Sequence, residues 1–353
     1  MMAPLSVISL SGNAFEQGLT YGRIEQEKIL KAIHFYSGMF EGMAGISWEK
    51  AKSISSSFLP AIQDYYPEAL DEMRGISQGA NLCFEDILTL NCRSEVLFAQ
   101  PDGCSCIGLL PEQSTDGHVY LGQTWDWLRK SGEHISIVKI QQDHGPDILM
   151  VVEAGVIGGK GLNSNGIGVG LNCTSVSKGQ IGVPLHIMFR TILNATTISN
   201  GLDCIAKAKR AGAGTFNLGS SEGFLMSVEY TPDNFDVLMA ENSPLCHTNH
   251  YQSPLFKDQD TFKIELTDTF VRLNRMRRLC QAHTEKYDRT FLMSVLSDHA
   301  NYPDSICSHE DPADPPFKQL CTVYSMMMDL TERTLWITPN NPCEGHEIKI
   351  SLY

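Results

Sequence analysis

Hydrophobic residues keep a helical spacing through most of the first hundred residues of this chain and switch to a strand spacing from Cys104 onward. From Ala14 to about Phe98, the runs "FEQGLTYGRIEQEKILKAIHFYSGMF", "AIQDYYPEALDEMRGISQGA" and "FEDILTLNCRSEVLF" place apolar residues three and four apart, with polar faces between them. The stretch "QPDGCSCIGLL" ends that pattern at Pro-Asp-Gly and opens the first β-rich region directly on a cysteine. Short strand-like runs follow, "CSCIGLL", "HVYLGQTWDWL", "ISIVKIQQ", "ILMVVEAG" and "GIGVGLNCT", parted by Gly, Asp and Pro turns. Such a chain divides into a helical segment over 1–103 and a mixed core over 104–353.

Helical spacing returns in "PLHIMFRTILN" and "TISNGLDCIAKAKRAG", with Pro184 in a first turn and Gly212 after a basic end. Strands are expected at "GFLMSVEYTP", "FDVLMAE" and "CHTNH", a helical pair across 264–298, and strands again from "CTVYSMMMDLTERTLWITP" to "HEIKISLY". "SHEDPADPPFKQ" is acidic and proline-rich and reads as a loop, and "NSNG", with Asn163 and Gly166, reads as a tight hairpin turn. Strands grouped around two central helices predict an α+β chain: two sheets face to face with helices outside, a four-layer α/β/β/α sandwich forming one folded domain.

Composition narrows the function. With 42% hydrophobic and 19% charged residues over 353 positions, the chain can bury a core without disulfide or metal staples. A net charge of −14 excludes a polyanion such as nucleic acid as the main partner. Eleven cysteines, an odd number with no CxxC pair, predict mostly reduced thiols in an intracellular protein. The start "MMAPLSVISLSGNAF" lacks a basic n-region, no apolar run spans a bilayer, and "KISLY" is not an SKL-type peroxisomal tail. A cytoplasmic protein without a membrane partner is expected, so the sequons at Asn172 and Asn194 carry no weight.

A thiol acts as a nucleophile only when a base within reach takes its proton. The sequence has no HExxH, no nucleophile elbow and no glycine-rich phosphate loop. Cutting the Gly103–Cys104 bond would supply nucleophile and base together, because an α-amine titrates at about 7.7 to 8.0. Gly103 suits that step, since a residue without Cβ tolerates a bent backbone and leaves its carbonyl open. On "DGC" alone a plain turn followed by a core cysteine is the stronger reading of these residues.

The blocks "EMRGISQGA", "NCRSEV", "DGCS", "GQTWDW", "EAGVIGGKGLNSNGIGVGLN", "VEYTP", "HTNH" and "NYPDSIC", in this order across roughly residues 67 to 329, resemble the acyl-coenzyme A:isopenicillin N acyltransferase family of N-terminal nucleophile enzymes. The resemblance implies the same α/β/β/α fold, self-cleavage before the cysteine, and the making or breaking of amides to a small acyl group. It implies no metal and no prosthetic group, with an acyl-coenzyme A possible only as substrate. By position, Cys104 matches the nucleophile, Asp126 the carboxylate that orients the new α-amine, and Asn249 the donor to the tetrahedral oxyanion. Thr231 matches a serine near the substrate and, with Gln123, Asn172 and Lys318, completes the expected substrate contacts. Ser305 and Cys307 are expected in core or turn positions. "CHTNH" admits a second reading in which Cys246, His247 and His250 hold zinc, but no second ligand pair accompanies them. The family carries an arginine shortly before the strand "CTVYSMMMDL", where this chain has Lys318 and Gln319. Lysine keeps the charge and loses the bidentate fork.

The expected activity is therefore transfer of a small acyl group from a thioester or amide to an amine, through an acyl-Cys104 enzyme made of two cleaved fragments held as an αβ heterodimer. In the family this chemistry belongs to secondary metabolism and antibiotic biosynthesis. The alternatives are an amidohydrolase acting on a β-alanyl or penicillin-type amide, and an inactive paralogue that keeps the fold. A thiol redox role for Cys104 and Cys106 is the weakest reading, since CxC without a thioredoxin-like βαβ start supports it poorly.

Overall fold

A computed structural model describes residues 5–97 and 102–353. Gln100 and Pro101 of the opening stretch, the helical register at Phe98 and the first four residues of the N-terminus lie outside the described residues. The strands, in chain order, are β1 Val7–Leu10, β2 Cys106–Leu109, β3 Tyr120–Leu128, β4 Ile135–Ile140, β5 Ile148–Glu153, β6 Lys160–Asn163, β7 Ile167–Asn172, β8 Gly214–Ser220, β9 Phe224–Tyr230, β10 Phe235–Met239, β11 Leu245–His247, β12 Leu320–Asp329, β13 Thr334–Pro339 and β14 Ile348–Ser351. By contact the chain forms two compact units that alternate along the sequence. The first takes 1–98, 133–163 and 178–212; the second takes 99–132, 164–177 and 213–353.

The first unit contains the helices predicted from spacing. Its longest helix, Ala14–Ala44, starts in a capping box in which Asn13 and Glu16 satisfy each other's backbone N–H, and ends at Gly45 in the left-handed region. This helix packs against Glu68–Ala80 through four glycines. A Cβ on Gly18 would stand 2.0 Å from Glu72 O, and one on Gly75 would stand 2.2 Å from Phe15 O. The glycines of "FEQGLTYG" and "RGISQG" thus let two helix backbones touch. The same unit holds β1, β4, β5 and β6 in that order, with β1 parallel to β4 and the other pairs antiparallel. β1 escaped sequence reading because four residues are too few to show a period. The helix Ile198–Ala206 stops short of the predicted Gly212 because Arg210 turns back and donates to the carbonyl of Ile205 at 2.8 Å.

The second unit contains two antiparallel arrays. One runs β7-β8-β9-β10 and the other β11-β2-β3-β12-β13-β14. They meet through side chains: Gln123 of β3 accepts from Leu171 N–H and donates to Leu171 C=O in β7. The helices Asp268–Ala282 and Arg289–Leu296 cover the second array over a core of Ile107, Leu109, Met276, Leu292, Leu296 and Met327. β8, "GTFNLGS", was missed in the sequence because its glycines mask the strand pattern. "CHTNH" forms a strand only to His247 and then turns.

Candidate active site

The site is built at the edge of β2. Gly103 and Asp126 form an isolated antiparallel bridge, with Gly103 N–H donating to Asp126 O at 2.9 Å and Asp126 N–H donating to Gly103 O at 2.7 Å. A Cβ on Gly103 would lie 2.9 Å from Asp126 Cβ and 3.0 Å from Asp126 Oδ2. Glycine is required here by the carboxyl packed over it, and the carbonyl before Cys104 is already polarised by a backbone N–H.

Cys104, the next residue, is fully buried. Its N–H donates to Asn249 Oδ1 at 2.9 Å, and its carbonyl accepts from Asn172 Nδ2 at 2.9 Å and from Arg272 Nη1 at 3.0 Å. The partners fix which way the Asn249 amide points. Oδ1 faces two donors, Cys104 N–H and Arg272 Nη2 at 3.0 Å; Nδ2 faces two acceptors, the carbonyls of Asp102 and Cys173, both at 3.1 Å. Asn249 N–H is itself held by Thr269 Oγ1 at 2.8 Å, which sets the turn after β11.

Asp126 lies on β3 opposite the irregularity in β12 between Thr322 and Tyr324. Bulges of this kind re-aim a side chain, and here Thr322 Oγ1 donates to Asp126 Oδ1 at 2.7 Å. Burial pushes the Asp126 carboxyl up to about 6, against the pull of the Arg272 guanidinium and the Thr322 hydroxyl. Asn172, at the end of β7, heads a chain of amides: its Oδ1 accepts from Asn217 Nδ2 at 2.7 Å, and Asn217 Oδ1 accepts from Ser227 Oγ at 2.7 Å. That chain crosses three neighbouring strands and holds the Asn172 amide on the Cys104 carbonyl.

The structure thus brings Gly103, Cys104, Asp126, Asn172 and Asn249 together from separate stretches of sequence. The atom that would become the α-amine lies against Asn249 Oδ1, while the Asp126 carboxyl lies over Gly103. Gln123 is buried between strands and bonded to Leu171 and Thr124. Thr231 Oγ1 accepts from Asn234 N–H in the turn between β9 and β10. Lys318 is 66% exposed and pairs with Glu265 at 3.8 Å. The donors in "CHTNH" each have a different neighbour: the Cys246 thiol faces the Cys280 thiol, His247 lies between Glu229 Oε1 and Thr248 O, and His250 faces Thr269. Ser305 Oγ donates to Cys307 O at 2.6 Å, as a turn residue does.

Sequence reasoning missed Arg272. It donates through Nε to Asp268 Oδ2 at 2.6 Å and through Nη1 to Ser105 Oγ at 3.1 Å, besides Cys104 and Asn249. Its helix buries Thr269, Arg272, Leu273, Met276 and Cys280, so an arginine stands on the apolar stripe. That position was a readable signal, since a lone charge on a core face must find partners. Asp268 at i−4 gave a second sign. The arrangement can hold a thiol beside a fixed cation, polarise the carbonyl before it, and present carboxamide donors to a developing negative charge.

A profile for the family described as acyl-coenzyme A:6-aminopenicillanic acid acyl-transferase matches residues 113–344, which include Asp126, Asn172, Asn249 and Arg272 and begin nine residues after Cys104. Among curated relatives, the 40 kDa form of acyl-coenzyme A:6-aminopenicillanic-acid-acyltransferase from Emericella nidulans is 25% identical over 350 residues, covering 96% of this chain and 94% of that protein. Among solved structures are two of conjugated bile acid hydrolase from Clostridium perfringens, one a cysteine-to-alanine mutant and the other an arginine-to-leucine variant. Each superposes with a TM-score of 0.52 at 13% identity, over 70% of this chain and 92% of theirs. That likeness shows the fold, the N-terminal nucleophile hydrolase type expected from the sequence.

Proposed function

The chain belongs to the acyl-coenzyme A:6-aminopenicillanic acid acyltransferase family, and on that premise we propose that it is a self-processing cysteine enzyme that moves a small acyl group to an amine through Cys104. The observation that carries this reading is the grip of Asn249 on both sides of the bond to be cut: Oδ1 on Cys104 N–H and Nδ2 on the Asp102 carbonyl. In processing, the Cys104 sulfur attacks the Gly103 carbonyl, the C–N bond breaks as the nitrogen takes up a proton, and water hydrolyses the resulting thioester to free the thiol and a Gly103 carboxylate. The Gly103 carbonyl, bonded to Asp126 N–H, is the electrophile. Departure of the Asp102 carbonyl then relieves Asn249 Nδ2 of one of its two acceptors, so that it can donate to the oxyanion in turnover. The new α-amine takes the thiol proton, and the thiolate attacks the donor's acyl carbon and expels its leaving group, which picks up that proton. The amine acceptor then attacks the thioester, forming the amide as the C–S bond breaks and the amine's proton returns to the Cys104 thiol.

The carboxyl of Asp126, near a titration point of about 6, is mostly ionised at neutral pH and steadies the cationic form of the α-amine. The same reading keeps the two fragments together as a heterodimer and places the reaction in the cytosol. No helix among the described residues is long and apolar enough to cross a membrane. The family's named acceptor makes 6-aminopenicillanic acid the first amine to try, with short and aryl-acyl thioesters as donors.

Denaturing mass spectrometry tests the processing step. Scaling 39.1 kDa by 103 of 353 residues gives fragments of roughly 11 and about 28 kDa. Active protein that shows only the intact mass would overturn the proposal, and Cys104→Ala is expected to stay one chain without activity. Amide formed at the expense of free acid as amine rises supports transfer, with ping-pong kinetics. Free acid alone, whatever the amine, would make the enzyme a hydrolase.

A further inference from the structure

Far along the chain from Cys104, the side chains of His299, Cys307, His309 and Cys343 bring four donor atoms within 4.8 Å of one another. His299 follows the helix Arg289–Leu296, Cys307 and His309 lie in the loop that leads to β12, and Cys343 lies between β13 and β14. His299 Nε2 stands 3.1 Å from His309 Nε2, and Cys307 Sγ stands 3.6 Å from His309 Nε2. Cys343 Sγ is 3.6 Å from His309 Nε2, and the two sulfurs are 3.6 Å apart.

Hydrogen bonding does not account for this packing. The Nε2 of His309 has one lone pair or one hydrogen, and so can serve one of its three close neighbours. A disulfide would need the two sulfurs at about 2.05 Å. A cation at the centre serves all four donors at once. With Zn–S of about 2.3 Å and Zn–N of about 2.05 Å, a regular tetrahedron has edges of about 3.8 Å between sulfurs, about 3.6 Å from sulfur to nitrogen and about 3.3 Å between nitrogens. Four of the six edges lie close to those values, and the other two, from His299 to the sulfurs, are within 4.8 Å.

We propose that His299, Cys307, His309 and Cys343 form a structural Cys2His2 zinc site. Thiolate and imidazole donors in a tetrahedron select Zn(II) over the oxygen-seeking Mg(II) and Ca(II). Two thiolates and two neutral imidazoles balance the charge of the ion, and binding releases the two thiol protons to solvent. An outer partner is also in place. Asn341 Nδ2 donates to Ser308 O at 2.6 Å and also stands 3.6 Å from Cys307 Sγ, and its Oδ1 accepts from Arg129 Nη2 at 3.0 Å, which fixes the amide between the ligand loop and the sulfur.

The family resemblance implied no metal, and among the sequence motifs only 246–250 offered a zinc reading. These ligands are separated by seven, one and thirty-three residues, a spacing without paired clusters. The site ties two loops together. Ser308, between two of the ligands, exchanges hydrogen bonds of 2.9 Å with Thr322, whose hydroxyl donates to Asp126. The zinc therefore braces the support of the candidate active-site carboxyl without touching the reacting atoms.

The test uses the full chain, purified without chelator, and reads metal by elemental analysis and native mass spectrometry. One zinc per chain is expected. Metal-free protein titrated with cobalt(II) chloride should develop thiolate-to-cobalt charge-transfer absorption and the visible bands of a tetrahedral ion. His299→Gln and Cys343→Ser, both at exposed positions, should each weaken zinc at least about 100-fold, and Asn341→Ala about 10- to 100-fold. Cys104→Ala should keep the full equivalent, which separates this site from the nucleophile. Folded wild-type protein that takes up neither zinc nor cobalt at micromolar concentration would overturn the proposal. So would full metal content in both His299→Gln and Cys343→Ser, or a Cys307–Cys343 disulfide in freshly purified protein.

Discussion

Arg190 in the first unit and Arg272 in the second are both buried beside a carboxylate, and the two do different work. In the first unit Arg190 donates to Glu72 Oε1 at 3.1 Å, to Gln17 Oε1 at 3.1 Å and to Ile157 O at 3.3 Å. It clamps the helix Leu185–Leu193 to the two glycine-packed helices. In the second unit Arg272 has the same burial and the same kind of partner in Asp268, yet its remaining contacts are Cys104 O, Ser105 Oγ and Asn249 Oδ1. The two guanidinium groups are equally buried, and each pairs with a carboxylate. A buried ion pair therefore does not mark a site by itself; the identity of the other partners does. Arg190 holds groups that stay as they are, whereas Arg272 holds two residues proposed to react.

Paired substitutions should break the likeness most clearly. Arg190→Met leaves Glu72 buried without its cation and should cost about 3–5 kcal/mol in denaturant unfolding, while protein that does fold still splits at Gly103–Cys104. Arg272→Met should lose less stability, because Asp268 is partly exposed, but should slow both processing and turnover. Equal losses of stability and cleavage in the two variants would erase the distinction. Asn249→Ala, which removes the group that Arg272 aligns, should lower the turnover of mature enzyme by about 10²- to 10³-fold; an unchanged rate would withdraw its role.

A smaller effect concerns pH. With the Asp126 carboxyl raised to about 6 in the uncleaved chain, the rate of self-processing should fall about tenfold for each pH unit below that point, and Asp126→Asn should abolish this limb of the profile. The raised value also means that the folded state holds a proton which the unfolded chain, at 3.8, has released. This contribution to stability is complete below about 4 and is lost as pH rises through about 6. The smallest expected change is that of Asp268→Asn. Its charge helps to raise Asp126, so the acid limb should move to lower pH; no movement would mean that Asp268 acts only by holding Arg272.

Much of this could be read from consecutive residues. The break in period before Cys104 and the capping box at Asn13 follow from local spacing along the chain. The roles of Asp126, Asn172 and Asn249 came from the resemblance of the ordered blocks around them to a known family. Arg272 could have been noticed on its apolar stripe, but its target could not. Thr322 became part of the site through an irregularity between two strands, and Lys318, expected near the substrate, stands at the surface beside Glu265. Cys104 and Asn249 are 145 residues apart and Cys104 and Arg272 are 168 apart, and His309 and Cys343 meet across 34. Helical and strand periods are set by a residue and its near neighbours, so the sequence by itself determined the long periodic elements. The short β1 and the glycine-masked β8 show as strands only in the sheets they join. Which distant side chains share a buried hydrogen bond depends on strand register and loop closure over the whole chain, and only the tertiary structure decided that.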